Sequence, residues 1–136
     1  NESDRVALVE GVKSGIIDAI AIDHSPYTYE EKTVAFAEAP PGAIGLELAL
    51  PTLWEKFVKT EQWTALELIQ ALSINPLRCL GKQPTSIQPQ LSAEVILFDP
   101  EKLWTVDLNH IKSRSNNTPW WGKEIRGQVI RIWNYH

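Results

Sequence analysis

The sequence predicts an α/β chain, on three observations. Val6, Val9 and Val12 recur at i, i+3 spacing, the mark of a helix with one apolar face. The run at 16–22 is almost unbroken in apolar residues, with Asp18 as its one charge. Such continuity marks a strand covered on both faces, as in a parallel sheet. A polar connector at 82–91, holding Pro84 and Pro89, then separates this α/β part from a β-rich tail. Two parts are expected, 1–81 and 82–136.

Each element has its own signals. The first helix is expected over 3–14, with Ser3 as N-cap, Asp4 in the first turn and Gly15 as its stop. The strand at 16–22 ends at Asp23-His24-Ser25-Pro26, the entry to a loop that runs to about residue 42. A loop of that length in a compact domain is usually functional. The next helix is expected over 45–59, with Leu46, Ala49, Leu50, Leu53 and Phe57 on one side. Pro51 requires it to begin nearby or to kink. Thr64-Ala65-Leu66-Glu67 is a capping box opening a helix to about Leu72. Asn75-Pro76 reads as a fresh N-cap, with Gly81 ending that last helix. Strands are expected at 93–98, ended by Asp99-Pro100, at 103–106, and at 127–133, with loop chemistry at 116–119.

Composition narrows the function. The 136 residues suit a single domain. Thirteen Lys and Arg face 17 Asp and Glu, a net charge of -4, which argues against nucleic acid as the partner. The single cysteine, Cys79, excludes an internal disulfide or a Cys-rich zinc module and fits a cytoplasmic protein. No apolar run approaches the roughly 18 residues of a membrane span, and no signal-peptide pattern is present. The chain starts at Asn1 and has no methionine, so it is expected to be a processed or excised piece.

The strongest chemical signal is Asp23-His24-Ser25-Pro26 at the carboxyl end of the expected strand. Catalytic groups gather at that end in barrels and open parallel sheets. An Asp there serves as a metal ligand or general base, or it simply caps the loop; the pattern alone weighs the two evenly. His24, adjacent in sequence, points away from Asp23 and reads as a structural histidine bonded within its loop. Pro40-Pro41-Gly42 ahead of a helix is a weak anion-holding signal through free N–H groups. Of the six tryptophans, Trp104, Trp120, Trp121 and Trp133 lie in the tail and read as packing residues. His110 and His136 lack a second ligand at metal spacing and read as surface residues.

Several strings resemble the type I dihydroorotases of the amidohydrolase superfamily. They are Asp23-His24-Ser25-Pro26, Glu30-Glu31-Lys32, and Pro-Gly-Ala-Ile-Gly-Leu-Glu at 41–47. Ser73-Ile74-Asn75-Pro76, the 93–100 string Ala-Glu-Val-Ile-Leu-Phe-Asp-Pro, and Asn117-Thr118-Pro119-Trp120-Trp121-Gly122 follow in the same order. The resemblance implies the C-terminal fragment of a (β/α)8 barrel, its last strand and flanking helices, plus a small β-rich tail. It implies zinc-dependent, reversible cyclisation of N-carbamoyl-L-aspartate to dihydroorotate in pyrimidine biosynthesis. Asp23 matches the family's catalytic aspartate, which contacts the metal, takes the proton from the attacking water and returns it to the leaving nitrogen. Pro41 and Gly42 match the loop whose backbone contacts substrate. The family's histidine that meets the substrate carboxylate is Tyr27 here, a phenol without positive charge.

The family's other metal ligands precede this segment, so zinc is expected in the full-length parent and not in the fragment alone. The expected partners are a small-molecule substrate and further copies of the chain, with aspartate transcarbamoylase as a pathway partner. Neither nucleic acid nor membrane is expected. Two alternatives stand beside the enzyme: a non-catalytic dihydroorotase-like scaffold subunit, and another cyclic amidohydrolase such as allantoinase.

Overall fold

The computed structural model describes residues 1–84, 86–90 and 94–134. Ala93 and His136, both named above, lie outside them. Four helical segments precede a two-stranded antiparallel sheet. Helix α1 is Glu2–Lys13, and α2 is the single turn Tyr29–Lys32. Helix α3 (49–58) joins an α-turn, Ala49–Leu53, to a π-turn, Trp54–Val58. Helix α4 (65–79) carries a π-turn, Gln70–Ile74, between Ala65–Ile69 and Asn75–Cys79. Strands β1 and β2 are Glu94–Thr105 and Glu124–Asn134. No helix of the described residues is long and apolar enough to cross a membrane.

The chain packs as two compact units. One holds Asn1–Ala21, Leu53–Phe98 and Val129–His136; the other holds Ile22–Thr52 and Asp99–Gln128. In the first, Phe57 and Trp63 stack with ring centroids 4.5 Å apart, and Leu68 and Ala71 are buried. In the second, Ile44, Leu48, Trp104, Val106 and Ile111 form the core, with Trp120, Trp121 and Ile125 against it. Burying an aliphatic side chain such as Leu48 or Val106 contributes about 1.5–3 kcal/mol. The Trp104 indole N–H donates to the Gly127 carbonyl at 2.6 Å, so the ring is buried without an orphaned donor. The two strands are closed by Val106 N–H to Lys123 O at 3.0 Å and Gly122 N–H to Val106 O at 2.9 Å.

Several expectations need correction. The cap of α1 is Asn1, not Ser3: the Asn1 side chain accepts from the Asp4 N–H at 3.0 Å. Residues 16–22 form no strand among the described residues. A strand needs a neighbour's ladder, and no described segment runs alongside them. Instead, the Ile17 N–H donates to Gly11 O and the Ile20 N–H to Ala71 O, while Ile16 stays 83 % exposed. Asn75 does not open a new helix. It sits inside α4 with helical φ and ψ, its N–H donates to Gln70 O, and its side chain donates to Asp18 O at 2.8 Å. The π-turn takes up the mismatch ahead of Pro76, which has no N–H to give. The strands expected at 93–98 and 103–106 are one strand, β1, running through Pro100. In a two-stranded sheet each strand keeps a free edge, where proline is tolerated.

Candidate functional site

All the candidate site residues fall in the second unit. Asp23 is exposed and has φ 49°, the left-handed region. Aspartate is among the few side chains that tolerate this conformation, and non-glycine residues held there cluster at functional sites. The Asp23 carbonyl accepts from the Ser25 hydroxyl at 3.1 Å, so the sharp turn is closed locally. The Ser25 N–H then donates to Ala43 O at 3.0 Å. That bond joins the turn at 23–27 to the loop at 40–46.

Gly42 fits against Ser25 only because it has no side chain. A Cβ at Gly42 would lie 2.6 Å from Ser25 Oγ, and its φ is +107°. The same position is 4.0 Å from the Tyr27 ring. Asp23, Ser25, Tyr27 and Gly42 are thus gathered from two stretches of sequence, with Pro41 exposed beside them. Tyr27 is half-buried, and the Lys32 ammonium lies 5.3 Å from its ring centroid.

His24 is structural, as expected from its place in the loop. Its Nδ1 accepts from the Gly45 and Leu46 N–H groups, each at 3.2 Å. An accepting Nδ1 sets the ring proton on Nε2. The Ile44 N–H donates to Asn117 O at 2.9 Å. These bonds narrow the anion-holding reading to the peptides before Ile44. The N–H groups at 44, 45 and 46 are committed, and α3 begins only at Ala49.

Three residues of the site's support had no role in the sequence reading. Asn117 Nδ2 donates to Gly42 O at 2.8 Å. The Glu47 carboxylate accepts from the N–H groups of Lys112 and Ser113, at 2.9 and 3.0 Å. Lys32 Nζ donates to Pro40 O at 2.6 Å. Together they hold the 40–47 loop at both ends. His110 lies at the surface, as expected, with Nδ1 2.8 Å from the Asp107 carboxylate. That bond to His110 holds the Asp107 carboxyl below its ordinary 3.8.

Zinc needs about three or four protein ligands. Among the described residues no group of three or more His, Cys, Asp or Glu gathers to hold a metal ion. Asp23 offers one carboxylate, so these residues by themselves do not make a zinc site.

The search against family models finds no match. The chain is 52 % identical over 130 residues to a "Probable dihydroorotase-like protein" of Synechocystis sp., covering 96 % of this chain and 28 % of the relative. It is 42 % identical over 130 residues to a dihydroorotase of Aquifex aeolicus, covering 95 % and 30 %. The chain is a relative of the dihydroorotases, in the amidohydrolase superfamily. It spans about 30 % of the length of the curated dihydroorotases it matches. An L-hydantoinase (dihydropyrimidinase) from Arthrobacter aurescens shares the fold of this dihydroorotase-like segment. Its TM-score is 0.80 at 23 % identity, over 95 % of this chain and 30 % of that one.

Proposed function

We propose that this dihydroorotase-like segment is the C-terminal part of a cyclic amidohydrolase that interconverts N-carbamoyl-L-aspartate and dihydroorotate in the cytoplasm. The observation that carries the reading is the meeting of the Asp23–Tyr27 turn with the Pro41–Ala43 loop, through Ser25 N–H to Ala43 O and the side-chain-free face of Gly42. In a (β/α)8 barrel such a turn follows the last strand, and 16–22 occupies that place in this reading without pairing as a strand among the described residues.

Asp23 is the general base. Its carboxylate accepts the proton of the attacking water in ring opening and returns it to the leaving nitrogen. One group serves both steps because it alternates between charged and neutral forms. The exposed carboxylate on a closed turn suits this role, since no described side chain competes for it. The Pro41–Gly42 peptides and the Tyr27 phenol orient the substrate. Zinc belongs to the whole protein in this reading, with Asp23 as one ligand. The further partners proposed are a second copy of the chain and aspartate transcarbamoylase.

The alternative is a non-catalytic scaffold, favoured by one observation: an uncharged phenol stands where the family has a histidine. Turnover by the whole, zinc-supplied protein separates the readings. Dihydroorotate hydrolysis with no action on allantoin supports the dihydroorotase. Action on allantoin alone identifies a different cyclic amidohydrolase, and no turnover of either leaves the scaffold.

A further inference from the structure

We propose that Lys32 is a specificity-determining residue of this site. Its ammonium supplies the positive charge for a substrate carboxylate that Tyr27 does not carry. The inference rests on the dihydroorotase reading above and deepens it.

The placement of Lys32 carries it. Helix α2 is one turn, fixed at its start by reciprocal bonds between Thr28 and Glu31. Its last residue, Lys32, reaches back across the 26–42 loop. Nζ donates to Pro40 O at 2.6 Å and lies 5.3 Å from the centroid of the Tyr27 ring. One ammonium therefore touches both arms of the site, the ring at 27 and the peptide leading into Pro41 and Gly42.

The charge on that ammonium is available. An ammonium has three N–H donors. Pro40 O takes one and the ring face engages the cation without consuming a strong acceptor. No carboxylate among the described residues pairs with Lys32: the neighbouring Glu31 is occupied by the Thr28 N–H at 2.7 Å. Between residues 22 and 52, Lys32 is the one lysine or arginine in the sequence. Its side chain is also half-buried, which strengthens a charge-assisted bond relative to open water. The ligand class that fits is a small cyclic amide bearing a carboxylate.

The test compares dihydroorotate with its uncharged carboxamide, by calorimetric titration of the whole protein. Lys32→Met keeps the stem and removes the charge; Lys32→Arg keeps the charge. Removing one charge-assisted hydrogen bond weakens binding about tenfold or more. Lys32→Met also loses the Pro40 bond, so both ligands are expected to weaken, dihydroorotate about tenfold more than the carboxamide, while Lys32→Arg retains dihydroorotate affinity. Lys32→Gln gives the same comparison should the Met variant not fold. Equal weakening of both ligands, or no change for dihydroorotate, overturns the inference. Wild-type protein that binds neither ligand defeats the dihydroorotase reading itself.

Discussion

At the scale of single residues, the site depends on two backbone conformations that side chains rarely adopt. Asp23 and Gly42 both have positive φ, and the missing side chain of Gly42 leaves room for Ser25. Gly42→Ala combines a strained φ with a Cβ 2.6 Å from Ser25 Oγ, so Ser25 or the loop has to move. A loss of about 1–3 kcal/mol is expected. Chemical denaturation of the whole protein measures it, and a neutral Gly42→Ala would show that the loop does not pack as described. Asp107 gives a second check. Its carboxyl, bonded to the His110 ring and to the Asn109 N–H, should titrate below 3.8 by NMR and rise in His110→Phe, which keeps the backbone bond. Because the folded-state value is depressed, the interaction contributes at pH above 3.8 and is lost as pH falls through the lower folded value. Sequence reasoning singled out Asp23, Tyr27, Pro41 and Gly42 through short motifs and the resemblance they carry, and the structure brings them close together. It assigned nothing to Asn117 and Glu47, although both stand in recognised strings, because their partners are backbone groups 65 to 75 residues distant.

At the scale of elements, local chemistry was read well where the signal is local. The Thr64–Glu67 capping box opens α4 as expected, with the Thr64 hydroxyl accepting from the Glu67 N–H and the carboxylate accepting from the Thr64 N–H. The same pattern at Thr28–Glu31 predicts α2, and it was obscured by the lack of apolar period around it. Asn75-Pro76 misled because an N-cap and a π-turn in mid-helix present the same residues; the carbonyl of Asp18, far off in sequence, decides between them. The tie between the 40–47 loop and residues 112–113 is also non-local. Glu47→Ala removes the acceptor of two backbone N–H groups. Amide exchange at Lys112 and Ser113 is expected to speed up by about tenfold or more, as charge-assisted bonds typically contribute about 1.5–3 kcal/mol and solvent access reduces that here. Unchanged exchange at both amides would mean the carboxylate is not their partner.

At the scale of the whole molecule, the mixed α/β character and the β-rich tail were legible, but the strand expected at 16–22 does not form among the described residues. Its apolar run suggests a covered strand and says nothing of which backbone pairs with it, and Ile16 stays 83 % exposed. Register and pairing are properties of neighbours, and among the described residues 16–22 has none. In the proposed reading the function likewise belongs to a longer framework than these residues, with Asp23 as its base. Asp23→Asn in the whole protein tests that contribution most directly. Asparagine also tolerates the left-handed backbone, so the substitution removes the base and leaves the turn intact. A fall of about 10²–10⁴-fold in kcat for dihydroorotate, with the melting temperature unchanged, is the predicted result. An active parent whose rate stays within a few-fold in Asp23→Asn would contradict it.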